Sequence, residues 1–275
     1  MKIEELKSFL DGRFPPALQE KYDNAGGQVL FSDDDCTGIL ISLDCDRAVI
    51  GEAILLGCNL IVSHHPFFFR PLRSISDGDP RSGALFDLVS GRISLYSAHT
   101  NLDKIYYDRL ARVIGLSDIK LLLGSDAPQS REPGEYGFGA VGELDEALPL
   151  MSLLDRVRER LSLPYLIYSG DSSKLVRRCA VSGGAGGGAI ERIIGGHKVD
   201  CVITGDVGYH DAKTALDHGV AVIDAGHFGT ERILLDFLHA EIQDYLTKTT
   251  PAGQIRACVS RMETNPFRVY PPEKQ

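Results

Sequence analysis

Six short runs rich in β-branched residues recur along the chain, most of them separated by stretches with helical spacing. This alternation confines the sequence to an α/β architecture built on mainly parallel sheets. The runs are TGILISL (37–43), NLIVS (59–63), ISLYSA (93–98), VRRCAVS (176–182), DCVITG (200–205) and VAVIDA (220–225). Between them, DRAVIGEAILLG, GAIERIIGGH and YHDAKTALDHG read as helices. PLMSLLDRVRERLSL (149–163) repeats Leu150, Leu153, Leu154, Val157 and Leu161 on one helical face, and TERILLDFLHAEIQDYL does the same with Ile233, Leu234, Phe237, Leu238 and Ile242.

A stretch rich in Gly, Pro and charge, LGSDAPQSREPGEYGFG (123–139), divides these units into two groups, giving subdomains over 1–125 and 126–275. The groups share a rhythm. In the first, strand, helix and strand lead to SHHP, and the next strand ends in AHTNLD; in the second they lead to TGDVGYH, and the next strand ends in AGHFGTE. His99 precedes Asp103 by four residues and His227 precedes Glu231 by four, which points to an internal duplication.

In parallel α/β sheets, ligands collect beyond the carboxyl ends of the strands, where loops carry polar groups on a rigid base. His64 and His65, His99 and Asp103, Asp206 and His210, and His227 and Glu231 all fall at such ends. Imidazoles with carboxylates suit zinc, iron or manganese, and the lack of cysteine among them argues for an open site over a closed structural zinc. Adjacent side chains diverge from a straight strand, so His64 and His65 need a turn to serve a common site, and Pro66 helps to fix one. Taken singly, any of these histidines is an ordinary core or surface residue, and Asp103 or Glu231 a solvated carboxylate at a helix start. Their coincidence at four strand ends is what singles them out.

A chain of 275 residues can bury a core without help from a metal or disulfide, so a metal would be present for function. The formal charge of −9 disfavours nucleic acid as a partner. The six cysteines include no Cys-x-x-Cys pair and read as buried reduced thiols. No apolar leader or membrane-length run occurs, which gives the expectation of a soluble cytoplasmic protein. The Gly-rich SGGAGGGAIER (182–192) matches a phosphate-cradling pattern loosely, and close strand-to-helix packing explains it equally well.

With YDNAGGQ (22–28), IVSHHPFFFRPL (61–72), SAHTNLD (97–103), VSGGAGGGAIE (181–191), VITGDVGYHDA (202–212) and IDAGHFGTE (223–231) in order, the chain resembles the NGG-interacting-factor-three-like family, whose members carry the name GTP cyclohydrolase 1 type 2 homologue. The resemblance implies two similar α/β subdomains, a dinuclear metal site in the cleft between them, and a homohexamer built as a trimer of dimers. By motif it implies metal ligands at His64, His65, Asp103, His227 and Glu231, with His99 and His210 lining the site. The chain matches the compact form, without the inserted middle domain of longer members. It departs from the family after Asp103, where KIYYDRLARVIGL replaces a Gly- and Asn-rich turn.

Five protein ligands for two divalent ions leave positions open for water, the pattern of a hydrolytic site. The expected function is a metal-dependent hydrolase acting on a nucleotide-like or other small substrate, with His99 or His210 as general acid–base. The alternative is a non-enzymatic hexamer that binds, delivers or senses metal.

Overall fold

The computed structural model describes residues 1–124, 136–251 and 253–270. Most of the expected junction at 123–139 lies outside them. In chain order the first elements are α1 (Ile3–Arg13), β1 (Gly26–Val29), β2 (Gly38–Ser42), α2 (Arg47–Leu56), β3 (Leu60–Ser63), α3 (Pro80–Ser90), β4 (Ser94–Ser97), α4 (Thr100–Ile105), α5 (Arg109–Ile114) and β5 (Ser117–Gly124). There follow β6 (Gly137–Pro149), α6 (Leu150–Arg160), β7 (Ile167–Ser169), β8 (Leu175–Val181), α7 (Ile190–Gly196), β9 (Cys201–Thr204), α8 (Tyr209–Asp217), β10 (Ala221–Asp224), α9 (His227–Glu231), α10 (Leu234–Thr249) and β11 (Arg256–Val259).

Local chemistry sets the ends of these elements. Asp46 caps α2 by accepting from the N–H groups of Ala48 and Val49, and Gly57 closes it at φ 69° in the left-handed region. Asp79 accepts from Ser82 N–H at the start of α3, with Pro80 in the first turn where no N–H is needed.

Two compact units result. The first contains residues 1–102 and 234–264; the second contains the described residues 103–124, 136–233 and 265–270. Among the described residues the chain thus changes unit at 102/103, 233/234 and 264/265, a different cut from one near residue 125. Sheet pairing explains it: β11 lies parallel to β2, from Arg256↔Gly38 to Val259↔Ile41, and β5 lies antiparallel to β6.

The first unit holds a five-stranded sheet in the order β1-β4-β3-β2-β11, parallel except for β1. Its central strands β2, β3 and β4 are buried at every position, which is why β2 and β3 read as near-continuous apolar runs. The second unit holds a six-stranded sheet in the order β5-β6-β8-β9-β10-β7. Its parallel part is confined to β8, β9 and β10, with antiparallel strands on both sides, so this sheet is more mixed than the expected pattern.

The duplication extends further than the motifs. The series α1-β1-β2-α2-β3-α3-β4 is repeated as α6-β7-β8-α7-β9-α8-β10. In each series the first strand packs antiparallel against the last: β1 on β4 and β7 on β10. Among the described residues, no helix is long and apolar enough to cross a membrane.

Candidate metal centre

In the first unit, register brings the strand ends level, with Ser42 opposite Ser63 and Ser63 opposite Ser97. The chain then continues along β2, since His64 N–H donates to Ser42 O at 2.9 Å and His65 N–H to Leu43 O at 2.8 Å. Ser63 Oγ donates to His65 O at 2.9 Å and lies 2.8 Å from Ser97 Oγ, which pins the turn. Both adjacent rings therefore join one cluster with His99, with centroids 5.0 Å (His64–His65), 5.2 Å (His64–His99) and 5.7 Å (His65–His99) apart. One ring nitrogen from each lies within 4.8 Å of the other two.

Each of these rings is anchored through Nδ1. His64, fully buried, donates to Ala98 O at 2.8 Å. His65 donates to Asp44 Oδ1 at 2.9 Å, and His99 to Asp23 Oδ1 at 2.7 Å. A carbonyl or carboxylate only accepts, so Nδ1 carries a proton in each ring, and Nε2 is the nitrogen that would coordinate a metal. Asp23 also accepts from Thr100 N–H, Thr100 Oγ and Asn24 N–H. Burial alone would raise its pKa; the His99 ring and these donors outweigh it and hold the carboxyl at about 2.

In the second unit, α9 begins at His227, so the four-residue spacing places Glu231 one turn on, and the two side chains meet at 3.0 Å (Nε2 to Oε2). His227 Nδ1 lies 2.8 Å from Asp206 Oδ2. Asp206 itself sits at φ 54°, a left-handed conformation that turns the chain sharply after β9. The hydrogen bond to Glu231 raises the His227 pKa most, burial opposes it, and Asp206 adds to the rise, which brings it to about 9.

The Gly-rich stretch forms the wall beside this pair. A Cβ built on Gly184 would stand 2.1 Å from Glu231 Oε1, and one on Gly187 would stand 2.2 Å from Asp206 O. The N–H groups of Gly184, Gly186 and Gly187 donate to Thr230 Oγ, Gly184 O and Gly205 O. These glycines serve close packing, and their N–H groups are not arrayed to cradle a phosphate.

Of the other expected site residues, Asp103 is half-buried on α4, four positions after His99, outside the three-imidazole cluster. His210 is exposed at the second position of α8, its ring edge-on to Tyr209 at 5.2 Å. Asp23, Asp44 and Asp206 are the residues that sequence reasoning did not assign a role. The YDNAGG motif contains Asp23, but only the fold brings it to His99.

The donors within each unit are of the kind that suits a divalent first-row ion. Metal-binding histidines typically donate their second N–H to a carboxylate or carbonyl, which fixes the ring and raises its basicity, and all four site imidazoles do so. A proton on His227 Nε2 competes with metal. Because its pKa is raised, the imidazolium–Glu231 pair stabilises the metal-free protein fully below pH ~6.5, and that contribution is lost as pH rises through about 9. Metal affinity should run the opposite way, rising over this window as the competing proton leaves. The gap in Tm between zinc-loaded and chelator-treated protein is therefore expected to widen from pH 6.5 to 9; a constant gap would contradict the assignment of His227.

A family model described as Duf34/NIF3 (NGG1p interacting factor 3) matches residues 1–266. A Clostridium acetobutylicum protein named GTP cyclohydrolase 1 type 2 homolog is 35% identical over 234 residues, covering 84% of this chain and 85% of its own. Among solved structures, Staphylococcus aureus protein SA1388 superposes with a TM-score of 0.87 at 27% identity, over 98% of this chain and 99% of that one. A Bacillus cereus protein related to NIF3 shares the fold with a TM-score of 0.89 at 21% identity, over 98% of this chain and 99% of its own.

Proposed function

Because the chain belongs to the Duf34/NIF3 family, we propose that it holds two divalent ions through His64, His65, Asp103, His227 and Glu231 and hydrolyses a small, nucleotide-like substrate. The observation that carries this reading is the anchoring of His64, His65, His99 and His227 through Nδ1 to a carbonyl or carboxylate, the support that metal-binding histidines typically have. Nothing in ordinary core packing calls for four histidines so arranged.

When bound, a pair of divalent ions supplies Lewis acidity, which makes water a competent nucleophile near neutral pH. The strand ends hold His64 and His65 rigidly, so little reorganisation accompanies binding. Asp103 and Glu231 supply negative charge that offsets part of the cations' charge. His210, exposed at the start of α8, is the side chain proposed to return a proton to the leaving group. Relatives bear the name GTP cyclohydrolase 1 type 2 homolog, which makes GTP the first substrate to test.

The test is turnover of GTP and a panel of nucleotides and small amides by metal-loaded protein. Saturable hydrolysis is expected that disappears with chelator, returns with one added metal, and is missing in His65→Ala. Retained metal with no turnover across the panel would overturn the hydrolase and favour a metal-holding protein. The hexameric ring belongs to the same proposal, and light scattering on the purified chain measures it directly.

A further inference from the structure

We propose that Phe69, with Tyr22 beside it and Arg70 and Arg73 following it in the chain, forms a subsite for a phosphate that carries a planar ring, the ring stacking on Phe69 and the phosphate meeting the guanidinium groups. The inference rests on the nucleotide-like reading above and names what the chain recognises in such a substrate.

The first observation is an apolar ring left in water. Phe67 is buried in the core of the first unit and Phe68 packs against that core, whereas Phe69 is 43% exposed. Its ring meets two others edge-on: His99 at 5.9 Å and 87°, and Tyr22, itself 65% exposed, at 6.3 Å and 79°. A solitary exposed aromatic residue is ordinary. Two in contact beside clustered imidazoles make an apolar patch rimmed by polar groups, which marks a binding surface.

The second observation is the backing of this patch. Asn24 Nδ2 donates to Phe68 O at 3.1 Å and Phe68 N–H donates to Gln28 Oε1 at 3.1 Å, which laces the segment carrying Tyr22 to the segment carrying Phe69. Gln28 Nε2 returns to Asn24 O at 2.7 Å. The Arg81 guanidinium donates to Phe67 O at 2.5 Å and to Arg70 O at 2.6 Å, so it spans the backbone on both sides of Phe69. A platform held in this way loses little freedom when a ring settles on it, so stacking adds to affinity.

The third observation is charge. In the same unit Arg13, Arg47 and Arg92 each hold a carboxylate. Arg70 and Arg73 are exposed, and among the described residues their guanidinium groups make no hydrogen bond or ion pair. On a chain of net charge −9, uncommitted guanidinium groups next to an aromatic pair attract an anion, and their planar fork matches phosphate oxygens. Every nucleobase has a face to stack, so the subsite selects the class of ligand and not the base.

The experiment titrates the full chain, zinc-loaded and chelator-treated in parallel, with guanosine monophosphate and with ribose phosphate, read by calorimetry. Guanosine monophosphate is expected to bind more tightly. Phe69→Leu, which keeps an apolar side chain but removes the ring face, should weaken it roughly 5- to 150-fold and leave ribose phosphate unaltered, while Phe69→Tyr retains the affinity. Arg70→Gln with Arg73→Gln should weaken both ligands alike. Circular dichroism checks that each variant is folded, and the arginine pair keeps the test open if Phe69→Leu is not. Ribose phosphate binding as tightly as the nucleotide, nucleotide binding indifferent to Phe69→Leu, or no nucleotide binding at all overturns the proposal. The hydrolase reading fails separately: Phe69-dependent binding without turnover leaves the subsite standing alone, whereas turnover with a KM indifferent to Phe69→Leu leaves the hydrolase without this subsite.

Discussion

Glu231→Gln is expected to lower metal affinity by at least roughly 100-fold, since a ligand should cost no less than the largest losses seen for outer-shell partners, while the chain stays folded. The side chain is buried, 5% exposed, and faces His227 Nε2 at 3.0 Å, so its charge acts where solvent screens little. Glutamine preserves shape and can still accept the ring's hydrogen bond, which separates loss of charge from loss of packing. Its leading role in raising His227 also vanishes, so the imidazole should titrate well below its value of about 9. Competition against a chromophoric chelator reads the affinity, and the His227 ring proton resonance reads the titration. Unaltered affinity together with an unaltered titration would remove Glu231 from the site.

The second large effect is expected at a residue with no side chain. Gly184 lies at φ 61°, where an alanine costs about 1–2 kcal/mol from backbone strain. Its added Cβ would also stand 2.1 Å from Glu231 Oε1 and 3.1 Å from the same carboxyl carbon, so the carboxylate must move. Gly184→Ala should therefore both destabilise the fold and weaken metal binding by roughly 10–100-fold, like the loss of an orienting partner. Gly188, in the same loop, has nothing within 4 Å of a built Cβ. Gly188→Ala is the matched control, expected to bind metal as the unsubstituted chain does. Equal metal binding by the two variants would show that the loop does not shape the Glu231 carboxylate.

The central strands were legible because both faces of their sheets are covered, so burial alone writes them as apolar runs: Leu60, Ile61 and Val62 in β3, or Cys201, Val202 and Ile203 in β9. Strand β1 was hidden by its composition, Gly-Gly-Gln-Val, and β7 by its length of three residues. Strand β6 spans 13 residues, but its glycines and acids mask the alternation. The stripe read as one helix after β10 is divided into α9 and α10. Its two neighbouring apolar residues serve different cores: Ile233 packs in the second unit, whereas Leu234 opens the helix that returns to the first.

The ligand candidates were visible because chemistry placed them at strand ends, where polar residues stand out against apolar runs. Their anchors were not visible. Asp23 lies 76 residues from His99 and Asp44 lies 21 from His65, and no local spacing announces such pairs. Asp206 stood in a recognisable position, yet its task depends on a left-handed backbone that only the folded chain displays. The glycine loop shows the opposite case, a pattern that sequence reading assigned two meanings and that van der Waals contact with Glu231 and Asp206 resolves.

The measurement that bears most directly on the account is the metal content of the freshly purified, unsubstituted chain, by elemental analysis beside protein quantified from amino-acid composition. The account predicts about two first-row divalent ions per chain. A chain that carries none, and takes up none after reconstitution with zinc, iron or manganese, would contradict it.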